Sequence, residues 1–166
     1  MRLVEPSERY YLSYLDYIRE LGDEERYPFT LDLEFEDCNQ LLTQLNDFSS
    51  GVNLPADKVP NTTLWLVDGG KIVGVTNVRH FLNENIEFCG GHIGLGIRPS
   101  CRGRGLGNYL MQLSIEYLVK MGSQKIHIHC YKENESSART IINNGGVLVS
   151  EFVDNQKVIQ RYLVTC

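Results

Sequence analysis

The sequence predicts an α/β (α+β) fold, with helices packed on a mostly antiparallel sheet, and three observations predict it. Apolar residues recur at spacings of three and four in some segments and alternate in others, so helices and strands are interspersed. Short β-branched and aromatic runs are joined by tight turn signals, which favours antiparallel neighbours. At 166 residues, with 42% hydrophobic and 22% charged residues, the chain has the size and composition of one globular domain spanning 1–166.

Taken in order, Tyr10, Tyr11, Tyr14, Leu15, Ile18 and Leu21 form a helical stripe over 7–21, with Ser7 as N-cap and Gly22 as stop. A second, shorter stripe is carried by Leu41, Leu42, Leu45 and Phe48. The acidic stretch between them, GDEERYPFTLDLEFED, reads as an exposed loop. Residues 62–67 and 71–78 form a hairpin around Asp68-Gly69-Gly70. Residues 92–97 form a strand thinned by Gly94 and Gly96, and glycine inside a strand marks close approach of a ligand or another backbone. Leu106 to Met121 is a strong helical stripe ended by Gly122, Lys125–Tyr131 alternates as a strand, and 135–144 is a short helix closed by Gly145-Gly146. Strands 147–152 and 158–164 around an Asp154-Asn155 turn complete the order ααβββαβαββ.

Lys and Arg total 16 against 21 Asp and Glu, a net charge of −5, so a general nucleic-acid binder is disfavoured. The five cysteines form no C-x-x-C pair, which fits free thiols in a reducing cytoplasm. Glu5 and Glu8 interrupt any signal-peptide pattern, and no apolar run is long enough to span a membrane. A cytoplasmic domain without membrane or nucleic-acid partners is the expectation.

The chemistry gathers in Ile97-Arg98-Pro99-Ser100-Cys101-Arg102-Gly103-Arg104-Gly105-Leu106-Gly107, between a strand and a helix. A helix start leaves backbone N–H groups unpaired and carries partial positive charge, and glycines let an anion approach them. Arg98, Arg102 and Arg104 add full charges, at least one within reach of a phosphate. A pyrophosphate-bearing ligand is the natural guest. No Gly-Lys-Ser/Thr of a P-loop occurs, and glycines spaced by two do not make the dinucleotide fingerprint.

Arg102, Gly105 and Gly107 do fill [Q/R]-x-x-G-x-[G/A], and Asn134-Glu135-Ser136-Ser137-Ala138 with Gly145-Gly146 follows downstream. These two blocks resemble the acetyl-CoA motif of the GNAT superfamily of N-acetyltransferases. Residues 59–164 are further similar to a bacterial group of predicted acetyltransferases with V-P-x-T-T-x-W-x-V, R-H-x-L-N and G-G-H-I-G-x-x-I-R-P-S-x-R-G-x-G signatures.

The resemblance implies a GNAT-like acyl-CoA N-acyltransferase fold, acetyl-CoA as cosubstrate and no metal. It implies that Leu95, Gly96 and Ile97 bind the pantetheine arm through their backbone. The amides of Arg102, Gly103, Arg104, Gly105, Leu106, Gly107 and Asn108 would take the pyrophosphate, and Asn134 and Ser137 the pantetheine or phosphate end. The sheet should splay where the arm enters, with the amine acceptor arriving from the other side. Relatives of this fold often pair through sheet edges, so a homodimer is expected by analogy.

The usual catalytic pair is not carried over. The strand position of the family's Glu holds Gly91 or His92, and the place of its Tyr, seven residues beyond Asn134, holds Ile141. His92 is a substitute base by its ordinary pKa, or a structural histidine. Glu87 acts through water in the same reading, and Tyr131 replaces the missing phenol as acid, or is a strand-end aromatic. Arg79, His80 and Asn83 either face the acceptor or end a solvated loop. His127 and His129 alternate on one strand face without a third ligand, so no metal is expected. The functional expectation is an N-acetyltransferase for a primary amine of a small molecule or peptide. Its alternative is a non-catalytic CoA-binding sensor or interaction module.

Overall fold

The computed structural model describes residues 1–166. The long hairpin is its spine: β2 (Asn61–Asp68) pairs antiparallel with β3 (Lys71–Arg79) around Gly69 and Gly70, both at positive φ. β1 (Arg2–Val4) adds to the outer edge of β2, and β4 (Ile93–Ile97) pairs antiparallel with β3, giving the order β1-β2-β3-β4. Alternation along the hairpin sends Trp65, Val67 and Val75 to one face and Leu66 and Val73 to the other.

Helices α1 (Tyr11–Leu21) and α2 (Cys38–Ser50) cover the first face, where Tyr14 stacks on Trp65 with ring centroids 5.2 Å apart. Asp37 caps α2, accepting from the Gln40 N–H at 2.8 Å. Helix α4 (Leu106–Lys120) covers the second face through Leu106 and Leu110. A second antiparallel sheet is made by β5 (Lys125–Tyr131), β6 (Val147–Asp154) and β7 (Lys157–Thr165), in the order β5-β7-β6. Helix α5 (Glu135–Asn143) packs on it through Ile141.

The sheet therefore comes in two parts, and this is what positions the site. β4 and β5 meet only where the chain enters β4, against the middle of β5: Gly91 bridges Ile128, and the His92 N–H donates to the His127 carbonyl at 2.7 Å. Beyond that point they share no ladder and leave a cleft.

Several expectations need correction. The first helix begins as a 3-10 turn (Glu8–Tyr10), and the Ser7 side chain makes no cap. β1 and the short helix α3 (Glu84–Phe88) were not legible, one having three residues and the other five. The acidic segment after α1 is not simply exposed: Pro28, Thr30 and Leu31 are buried, and Leu33 and Phe35 pack on the same core. The last turn sits at Asn155 and Gln156, both at positive φ.

Candidate functional site

The cleft holds two joined cavities. One, of about 830 Å³, runs along Leu95-Gly96-Ile97, past the glycine-rich loop, to the start of α5. The other, of about 390 Å³, continues toward Cys89, Gly90, Cys130 and Tyr131. Both sizes are those of ligand pockets.

The larger lobe is built around unpaired backbone donors. Gly103 and Gly105 sit at φ +73° and +75°, a conformation that L side chains adopt only under strain, with open space where a Cβ would stand. Gly105 is the N-cap of α4, and the N–H groups of Gly103 through Asn108 find no protein acceptor. An anionic group with several oxygens satisfies such a row, and the helix dipole adds to the attraction. Asn134 caps α5, its side chain accepting from the Ser137 N–H at 3.0 Å, and both line the same lobe.

Of the residues expected to hold the cofactor, Leu95, Gly96, Ile97, Arg102, Gly103, Gly105, Leu106, Gly107, Asn108, Asn134 and Ser137 all line the larger lobe, and Arg104 does not. The arginines work differently from the expectation. Arg98 is buried and paired with Glu20. Arg102 donates to the Ile97 carbonyl at 3.0 Å and grips Glu24 with two bonds of 3.2 and 2.7 Å. Both guanidiniums brace the loop, and the cradle is backbone.

Gly94 and Gly96 also serve another purpose than clearing room for a ligand. A Cβ on Gly94 would stand 3.0 Å from the Tyr27 hydroxyl oxygen, and one on Gly96 would stand 2.3 Å from the Tyr27 carbonyl oxygen. The segment after α1 thus lies against β4, and Tyr27 lines both lobes. Gly96→Ala should force that segment away at a cost of about 2 kcal/mol, as overpacking does. A thermal melt reads it, and an unchanged melting temperature would show that Tyr27 is not seated on this glycine.

The proposed acid–base residues fare unequally. Tyr131 lines the smaller lobe, with the Lys157 Nζ 4.6 Å from its ring centroid. His92 lines neither lobe: it is buried, its Nδ1 accepts from the His127 N–H at 3.0 Å, and burial, then His127, push its pKa down to about 4. It stitches β4 to β5 rather than facing the cavity. Glu87 lies on α3 and lines neither lobe. Arg79 donates to the Gly91 carbonyl at 2.7 Å and supports the turn before β4. His80 Nε2 bonds Thr62 Oγ1 at 2.8 Å, and Asn83 caps α3 by accepting from the Ile86 N–H at 2.9 Å. None of these three reaches the lobes, because each is used in local structure.

Besides Tyr27, two wall residues with unpartnered buried polar atoms were missed as site residues. Tyr17 on α1 lines the smaller lobe with a fully buried hydroxyl that has no partner. His129 on β5 lines both lobes, and its Nε2 is likewise buried and unpartnered. The alternation of KIHIHCY placed His129 on a strand face, but not which cleft that face borders. Burial pushes the Cys130 thiol up to about 11, so it is no nucleophile near neutrality.

A comparison with known protein families decides the assignment. Residues 14–141 match the model of the "Acetyltransferase (GNAT) family". The chain belongs to that family. It is thus an acyltransferase, and the acetyltransferases of this family use acetyl-CoA, whose pyrophosphate fits the row of free amides. No curated protein matches by sequence. Among solved structures, a protein assigned to the GnaT acetyltransferases from Bordetella pertussis superimposes with TM-score 0.68 at 15% identity, covering 98% of this chain and 94% of that one. A spermidine N-acetyltransferase SpeG mutant from Vibrio cholerae gives 0.67 at 15% identity, with 99% and 95% covered. The yncA protein from Salmonella typhimurium, solved with its cofactor acetyl-CoA, gives 0.64 at 12% identity, with 99% and 92% covered. At these identities the likeness is one of GNAT fold. No helix is long and apolar enough to cross a membrane.

Proposed function

We propose that this GNAT protein is an N-acetyltransferase that moves the acetyl group of acetyl-CoA to a primary amine of a small molecule or peptide. The observation that carries the reading is the row of unpaired amides from Gly103 to Asn108 at one end of a cleft that continues into a second lobe. Gly103 to Asn108 hold the pyrophosphate, Leu95 to Ile97 the pantetheine arm, and Asn134 and Ser137 the edge between them. The bound thioester supplies the acetyl group. The smaller lobe, walled by Tyr17, Tyr27, His129 and Tyr131, receives the amine. The signatures around Gly90-Gly91-His92 place the chain, in this reading, with the bacterial group that carries them.

Isothermal titration with acetyl-CoA and with CoA tests the cofactor half, and no binding of either at millimolar concentration overturns it. Release of CoA across a panel of polyamines, amino acids and peptides tests the acceptor half. One observation favours a second reading, a CoA-binding sensor: the helix position of the family's phenol is Ile141, which is buried. Steady CoA release with any amine on the panel rejects it.

A further inference from the structure

Five acidic or basic side chains border the two lobes: Glu24, Glu25, Arg102, Glu135 and Arg139. Arg102 is spent on Glu24, which leaves Arg139 as the one arginine of the cleft without a carboxylate partner. Arg139 is exposed, on α5, and lines the larger lobe. Its place beside the phosphate cradle follows from the packing of α5 against α4. A Cβ built on Gly107, in the first turn of α4, would stand 3.6 Å from Thr140 Oγ1. Asn143 and Asn144 donate to the Asn108 side chain and carbonyl at 3.4 and 3.3 Å. Arg139 immediately precedes Thr140, so its long side chain starts next to the amide row and stays in contact with solvent. Glu135 lies one turn earlier on the same helix and forms no ion pair with it. An exposed pair at that spacing contributes little, so the guanidinium is free for a more highly charged anion.

We propose that Arg139 pairs with the 3′-phosphate of CoA and thereby selects thioesters of CoA over those of dephospho-CoA or of carrier-bound phosphopantetheine. The proposal rests on the acetyl-CoA reading above and adds a residue to it. CoA carries two kinds of phosphate, and they ask for different partners. Each phosphate of the pyrophosphate is esterified on both sides and is met by neutral amides, which Gly103 to Asn108 supply. The 3′-phosphate on the ribose is a monoester with a charge of about −1.5 to −2 near neutrality, which calls for a cation. A guanidinium offers such a group two parallel N–H donors together with a full positive charge. Arg98 and Arg102 are bound to Glu20 and Glu24, and Arg104 lines neither lobe, so Arg139 is the arginine left for it. Dephospho-CoA keeps the pyrophosphate and lacks the monoester, and carrier-bound phosphopantetheine lacks the whole nucleotide.

Titration calorimetry of the full chain with CoA and with 3′-dephospho-CoA tests it. The unsubstituted protein should bind CoA about tenfold more tightly than dephospho-CoA. Arg139→Gln, at an exposed helix position where both residues are good helix formers, should abolish that preference. Its Kd for CoA should rise about tenfold, while its Kd for dephospho-CoA stays within about twofold of the unsubstituted value. Arg139→Lys keeps the charge without the paired donors and should retain part of the preference. If Arg139→Gln melts early, Arg139→Met gives the same comparison. Equal weakening of both ligands by Arg139→Gln overturns the proposal by assigning the arginine to the pyrophosphate. A preference that survives the substitution, or that the unsubstituted protein never shows, overturns it as well. Failure of the unsubstituted protein to take up either ligand overturns instead the functional reading beneath it.

Discussion

Gly105→Glu should abolish CoA binding and leave the fold standing. Gly105 is the N-cap of α4 at φ +75°, and nothing lies within 4 Å of a Cβ built there, so the mutant side chain meets no protein wall. The fold loses roughly 1–3 kcal/mol from forcing a non-glycine residue into the left-handed region. The ligand loses far more. The glutamate carboxylate stands among the amides that the pyrophosphate needs and repels it. Losing two charge-assisted hydrogen bonds, each worth about 1.5–3 kcal/mol, weakens binding by more than about 100-fold. Gly107→Ala is the matched control. Its Cβ would make an ordinary 3.6 Å contact with Thr140 Oγ1, so CoA affinity should stay within severalfold of the unsubstituted protein. Titration calorimetry on both variants reads the contrast, and CoA binding retained by Gly105→Glu would remove the loop from the cofactor site.

The contrast between Gly105 and Gly107 also explains why one end of the site was legible in the sequence and the other was not. A phosphate cradle is made of backbone, and backbone needs show directly as residue types: glycine where φ is positive, then a helical stripe beginning at Leu106. The smaller lobe is walled by side chains brought in from far along the chain. Tyr27 belongs to a stretch whose acidity suggested a solvated loop, yet Phe29, Leu31, Leu33 and Phe35 alternate within it and pack inward. That alternation was a usable signal, outweighed by the charges between. His129 was visible as a strand residue, but its tautomer depends on the Gly90 N–H, 39 positions away. His92 drew attention through its pKa class, whereas the fold spends its ring on joining β4 to β5. Arg98 and Arg102 misled in the opposite sense, because a cation beside glycines looks like a phosphate ligand until its carboxylate partner on another element is known.

One of those partners predicts the largest loss of stability. Glu20, near the end of α1, accepts from Arg98 Nε through one oxygen and from the Ser100 N–H through the other. Arg98 is almost fully enclosed, and its Nη1 reaches only the Ser13 and Ile72 carbonyls, each at 3.4 Å. Burial works against the Glu20 carboxylate, but its hydrogen bonds from Ser100 and Arg98 prevail and hold its pKa down to about 2. Glu20→Ala leaves a buried guanidinium without a counter-charge and a loop N–H without an acceptor, which should cost about 3 kcal/mol. For a chain of this size the melting temperature should fall by roughly 6–12 °C. The pH dependence follows from the depressed pKa. The carboxylate's contribution is full above its ordinary value of 4.5 and is lost as the pH falls through about 2, so the stability gap between the unsubstituted protein and Glu20→Gln should narrow over that window. Thermal melts of both proteins at pH 7 and at pH 3 measure it. Because Ser100 sits in the 3-10 turn Pro99–Cys101 that leads to Gly103 and Gly105, Glu20→Ala should also weaken CoA binding while leaving Gly103–Asn108 themselves intact. A gap that stayed constant from pH 7 to pH 3 would show that the Glu20 charge does not anchor the loop.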